Sequence, residues 1–282
     1  MVIAPATLVE RLGFDPGTRV VIVTADGLGW CHAANDGVFE ALRHGMATSA
    51  SLQVPCPWSR EAAARYRGED VGVGLTLNAE YDLYRWGPLT QAPSLLDGDG
   101  GFPRTMTDVW DHADLDEVRR ECRAQIERAI LYGFDVTFLA SHLDVLGYRP
   151  EFFDVALELA VDFGLPLRPL PTSETATVGF PAAQLAAAQG VVTPDHVVVA
   201  RAGVGGLQAV ERALFELAPG VTELHLRPAR DAPELRAFAP DWARRVDDLG
   251  LVCDPNELGT TFERAAVVTV GYRALRDLQR SA

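Results

Sequence analysis

Apolar residues along this chain fall into short dense runs, separated by longer stretches with helical spacing. Residues 19–25, Arg-Val-Val-Ile-Val-Thr-Ala, form an unbroken β-favouring run of the kind buried on both faces of a parallel sheet. Similar runs at 47–54, 71–77, 135–140, 165–168, 197–200, 222–226 and 266–270 predict further strands. Between them the spacing predicts helices over 7–12, 32–43, 59–67, 115–132, 152–163, 207–217 and 233–248, with a last helix after 270. Asp114 stands where an N-cap belongs, and Gly45 lies just past the end of the second helix.

Strand and helix alternating through the chain predict an α/β fold with a parallel sheet. With no internal repeat and no low-complexity linker, residues 1–282 are expected to form a single domain, a distorted or incomplete (β/α) barrel of TIM-like type. A doubly wound open sheet is the alternative, although no Gly-x-Gly-x-x-Gly follows the run at 19–25. Two segments break the rhythm. Residues 80–113 form a loop-rich insertion carrying Tyr81, Tyr84, Trp86 and Trp110, which either cover a substrate or anchor the loop. Residues 169–195, rich in Pro, Ala and Thr, predict a surface excursion.

Composition narrows the partners. A net charge of −14 disfavours nucleic acid and anionic membrane surfaces. All 25 basic residues are Arg, so a Schiff-base lysine, a lysine base and a P-loop are excluded. Cys31, Cys56, Cys122 and Cys253 are scattered without a Cys-x-x-Cys pair and fit reduced packing residues. No basic region followed by a long apolar run opens the chain, and no apolar segment is of membrane-spanning length. The expectation is a cytoplasmic protein acting on a small molecule, with homo-oligomerisation left open. The all-Arg, Ala-rich composition suggests a GC-rich bacterial genome.

In either α/β architecture the chemistry lies at the C-terminal ends of the strands. Those ends carry Asp26 between Ala25 and Gly27, the group Thr76-Leu-Asn78-Ala-Glu80, His142 with Asp144, Arg168, and His225-Leu-Arg227-Pro228. Each has a structural alternative. Asp26 could cap the next helix, His142 could be a core histidine bonded to backbone, and Arg168 and Arg227 could be ion-pair partners of nearby acids.

Several stretches resemble one family. Ala25-Asp-Gly-Leu-Gly-Trp30, Ala33-Ala-Asn35, Gly45-Met-Ala-Thr-Ser49, Val73-Gly-Leu-Thr-Leu-Asn78, Arg85-Trp-Gly-Pro-Leu89, Ser94-Leu-Leu-Asp97, Gln125-Ile-Glu127, Ser141-His142, Leu167-Arg168 and Glu223-Leu-His-Leu-Arg-Pro228 are similar, in one order, to the YdjC-like (ChbG/HpnK) carbohydrate deacetylases. The resemblance implies a distorted (β/α) barrel and removal of N-acetyl groups from amino sugars with a divalent metal. It also implies that Asp26 matches a general base. The acid that follows it in the family is Gly27 here, a metal-binding His of the third strand is Gly74, and of a His-Leu-Asp-x-His pattern only His142 survives, with Phe138 and Ala140 in place of the others. A His-Pro pair is replaced by Arg227-Pro228.

A catalytic divalent ion usually takes about three protein ligands and keeps one open position. The expectation is therefore a diverged enzyme with no cofactor. Asp26 and His142 would be its acid/base pair, with Trp30, Asn78, Glu80, Phe138, Asp144, Arg168 and Arg227 around the substrate. Loss of polar groups predicts a larger, less polar pocket for a bulkier ligand, such as one of specialised metabolism. Two alternatives stand beside this reading: a rebuilt metal site at Asp26, His142 and Asp144 serving N-deacetylation, and a non-catalytic binding protein.

Overall fold

The computed structural model describes residues 6–175, 177–199 and 206–281. Among the described residues seven parallel strands form the sheet: β1 (Arg19–Leu28), β2 (Ser49–Leu52), β3 (Val71–Leu75), β4 (Val136–Ser141), β5 (His196–Val199), β6 (Gly220–Leu226) and β7 (Val267–Thr269). The order β4-β3-β2-β1-β6-β5 curls into a half-barrel wrapped by helices, the expected incomplete TIM-like α/β barrel. The run at 165–168 contributes a single parallel bridge, Leu139 to Leu167, and the Leu167 amide donates onward to the Val192 carbonyl. That link carries the wall from β4 toward β5.

β1 is the spine. Its first residues, Arg19–Val21, pair with β7, and its last, from Thr24, pair with β2. β6 runs alongside from Arg19 to Ala25. β1 continues past its apolar run to include Asp26, because a bulge lets Gly27 slip out of register while Leu28 pairs with Leu52. Gly27 has φ 106°, which a side chain would strain. The acid thus sits in the strand rather than in a turn after it.

Several helices agree with the sequence pattern. His32–Arg43 and Leu115–Leu131 pack apolar faces on the sheet, and the Asp114 carboxylate accepts from the amides of Asp116 and Glu117. The predicted helix over 233–248 is two helices, Pro233–Phe238 and Trp242–Cys253. Pro240 forces Ala239 out of the helical region, to φ −98° and ψ 105°. A short helix at Thr260–Ala265 follows a π turn at Pro255–Gly259. The 80–113 insertion holds a 3-10 turn, Pro93–Leu95, and a helix, Met106–His112. Residues 176 and 200, within the predicted excursion and the predicted strand over 197–200, lie outside the described residues.

The barrel interior beneath the site is plugged. Phe138 stacks on Tyr272 at 3.8 Å between ring centroids with 12° between planes, surrounded by Val20, Ile22, Ala140 and Val221. The Tyr272 hydroxyl donates to Glu223, and Glu223 pairs with Arg168 at 3.4 Å. A polar ladder therefore climbs from the apolar plug to the mouth of the barrel. Among the described residues no helix is long and apolar enough to cross a membrane.

Candidate active site

β1 delivers the Asp26 carboxylate, 4% exposed, to the C-terminal mouth of the barrel. One oxygen accepts from the Ser51 hydroxyl of β2, and the other accepts from His225 Nε2 of β6 at 3.0 Å. Arg227 Nε lies 3.8 Å from that second oxygen. Burial pushes the Asp26 carboxyl upward, but His225, Arg168 and Arg227 together outweigh it and hold the acid well below its ordinary range. Asp26 is therefore ionised, and its partner imidazole carries a proton on Nε2. His225 Nδ1 has no hydrogen-bond partner among the described residues.

A second carboxylate–imidazole pair stands across β2. His142, just past β4, offers Nε2 to Glu80 Oε2 at 3.0 Å, while the Gln53 amide reaches Nδ1 at 3.1 Å. The Glu80 carboxyl is raised by burial, but His142, a backbone amide and Arg227 together outweigh this and leave it lowered. The two pairs meet around Gly74. A Cβ there would stand 3.4 Å from Ser51 Oγ and 3.6 Å from Gln53 Cγ, so side chains of β2 border the space that Gly74 leaves. Asp26 is thus paired with His225, not with His142 as the sequence suggested. The pairing follows from sheet order, since β6 is the direct neighbour of β1 and β4 is separated from it by β2 and β3.

A cavity of about 450 Å³ opens over this end, lined among others by Arg104, Asp144, Glu174, His225, Arg227 and Arg244. Charged side chains from loops and helices beyond the strand ends share its lining with Met106, Leu143, Pro171 and Val199. Asp144 is half-buried at its edge, in the left-handed region at φ 57°, directly after Leu143 at φ 50°. Two consecutive left-handed non-glycine residues are strained, as happens where a chain is bent to serve a site. Burial raises the Asp144 carboxyl and Asp26 adds to the rise, while Arg168, His225 and Arg227 pull it down, leaving it raised.

Other expected contacts lie elsewhere. Trp30 is packed against Tyr81 and Phe238 with the Arg245 guanidinium 4.0 Å above its ring, and is 1% exposed. Phe138 is enclosed in the barrel plug, and Asn78 is fully buried with its carbonyl accepting from Trp86 Nε1. None of the three lines the cavity: Trp30 and Phe138 are held in aromatic packing, and the Asn78 side-chain amide is buried without a hydrogen-bond partner among the described residues. Arg168 is buried as the ion-pair partner of Glu223. The aromatic residues of the insertion act as anchors: Tyr84 donates to the Trp30 carbonyl and Trp110 to the Val145 carbonyl.

His225 and β2 are what the sequence reading passed over. His225 is visible at a strand end, yet nothing local marks it as the partner of an acid 199 positions away. Ser49, Ser51 and Gln53 carry a better signal, polar residues at every second position of a predicted buried strand.

The molecule is thus a curled α/β half-barrel with two carboxylate–imidazole pairs at its mouth. A family model described as YdjC-like protein matches residues 20–259, and the chain belongs to that family. A carbohydrate deacetylase of Thermus thermophilus is 35% identical over 254 residues, spanning 88% of this chain and 91% of that protein. A carbohydrate deacetylase of Geobacillus stearothermophilus is 29% identical over 261 residues, spanning 90% and 97%. The crystal structure of a putative cellobiose-phosphate cleavage protein from Enterococcus faecalis superimposes with a TM-score of 0.78 at 24% identity, covering 92% of this chain and 99% of that one.

The side chains suit the family's divalent ion poorly. Gly27 and Gly74 offer no donors, both oxygens of Asp26 and both nitrogens of His142 are already hydrogen-bonded, and a guanidinium lies 3.8 Å from Asp26. A cation would have to displace these partners and sit beside Arg227.

Proposed function

We propose that this chain hydrolyses the N-acyl amide of an amino-sugar compound by acid/base chemistry without a metal. The observation that carries the reading is the Asp26–His225 pair, whose unpartnered Nδ1 belongs to a residue lining the large polar cavity. Asp26 fixes the imidazole with its proton on Nε2, which leaves Nδ1 as the base. As a water oxygen attacks the amide carbon, Nδ1 takes the water proton. The guanidinium of Arg227, facing the same cavity, compensates the charge that develops on the carbonyl oxygen. Collapse breaks the C–N bond, and the imidazolium returns its proton to the departing amine, giving a free amine and a carboxylic acid.

The His142–Glu80 pair supports a second proton position. Gln53 Oε1 is buried without a partner among the described residues. Turning that amide over would offer an acceptor to a proton on Nδ1, so the Gln53 amide can meet either tautomer of His142. Loss of donors at positions 27 and 74, together with the engaged atoms of Asp26 and His142, supports metal independence.

The test is release of free amine from N-acetylated glucosamine oligosaccharides by the purified protein. Turnover is expected to survive excess EDTA and to fall by about 10²–10⁴ in His225→Asn. Turnover that requires added zinc, or that His225→Asn leaves intact, would overturn the reading.

A further inference from the structure

Behind Asp144 lies a second cavity of a different character. It has a volume of about 60 Å³ and is walled by Leu75, Leu146, Phe153, Ala156, Leu167 and Leu170, between the sheet and helix Pro150–Phe163. Polar groups border it at one rim, through Ser141, Asp144 and Arg168. Asp144 also lines the large polar cavity, so the two spaces share a wall at the strand ends.

An N-acyl amino sugar has the same two-sided chemistry, a polar ring on the amine side of the amide and a hydrocarbon tail on the acyl side. We propose that the small cavity is the acyl pocket of this site, and that it selects short straight acyl groups longer than acetyl. The proposal rests on the amide-hydrolysis reading above. The volume sets the length: at ~30 Å³ for a water-sized group, 60 Å³ holds about two such groups. A butyryl amide, which carries two methylenes more than acetyl, fills it. Each buried methylene multiplies affinity by about fourfold, so butyryl should exceed acetyl by roughly 15-fold. A hexanoyl tail exceeds the space and loses that gain.

Calorimetric binding of N-acetyl-, N-butyryl- and N-hexanoyl-glucosamine tests this on the full chain, with amine release followed in parallel. Butyryl is expected to bind roughly 15-fold more tightly than acetyl and than hexanoyl. Ala156→Val narrows the cavity and should erase the butyryl preference. Leu170→Ala widens it and should move the optimum to hexanoyl, which keeps the idea testable if the first variant does not fold. Equal affinities in the unmodified chain, no binding of any of the three, or a butyryl preference that neither folded variant changes would overturn the acyl pocket. A pocket-dependent preference without amine release would sink the hydrolase reading alone.

Discussion

Replacing Asp26 by Asn tests the site and the fold together. The change keeps the shape of the side chain and removes its charge. In the native site that charge receives the Ser51 hydroxyl and His225 Nε2 at 3.0 Å, and faces Arg227 at 3.8 Å. Charge-assisted hydrogen bonds contribute about 1.5–3 kcal/mol each against about 1 for neutral ones, and Asn retains the neutral share. The net loss is then about 3 kcal/mol, or roughly 6–12 °C in Tm for a chain of this size. The sign with pH is determined by the lowered native pKa of Asp26. A carboxyl whose native pKa lies below its unfolded value of about 3.9 stabilises fully above that value and loses the contribution as pH falls through the native one. Thermal melts should therefore show the full gap between native chain and variant at pH 7, and the gap should narrow below about pH 4. Amine release should fall by about 10³–10⁴, because Asn no longer selects the imidazole tautomer with Nδ1 free. Equal melting temperatures at pH 7, or a gap that does not change with pH, would refute the buried ionised acid. Undiminished turnover would refute its role in positioning His225.

Two further outcomes follow from the same geometry. Asp144→Asn should raise Tm at pH 7 on the order of 2 °C and lose that gain toward pH 3–4, read by melts across pH. A carboxyl whose native pKa is raised favours the fold in its protonated form, so ionisation at neutral pH opposes folding, and Asn also suits the left-handed backbone at φ 57° better. Among the glycines, Gly72→Ala should destabilise by about 1–3 kcal/mol in urea melts because its Cβ would overlap the Phe138 ring, whereas Gly74→Ala should cost under about 1 kcal/mol, its nearest neighbour being Ser51 Oγ at 3.4 Å.

The strands and most helices were legible because their signals are local. The apolar run at 19–25 needs only burial on both faces, and helix His32–Arg43 has the predicted limits. Pro240 was a legible stop inside the predicted helix over 233–248, and the apolar spacing on either side of it masked the break. Asp26 and His142 could be placed at strand ends from sequence alone. Their partners could not, since Asp26 meets His225 and Ser51 only through the neighbours of β1, and His142 meets Glu80 through a loop after β3. Trp30 and Phe138 misled because a large side chain near a strand end looks the same in sequence whether it faces a ligand or a packed layer.

The divided pairing of β1 has a consequence for biosynthesis. The strand leaves the ribosome well before β6 and β7, yet its flank along β6 and its early pairing with β7 use residues 220–226 and 267–269. Until residues 220–226 and 267–269 have emerged, the nascent chain carries the acid with neither its imidazole nor a complete sheet around it. Contacts this distant in sequence form slowly, because the loop must close before pairing rewards it. Chains stalled before residue 220 should therefore present an unpaired edge of Val20–Val23, with no reactive centre, to whatever chaperone meets them.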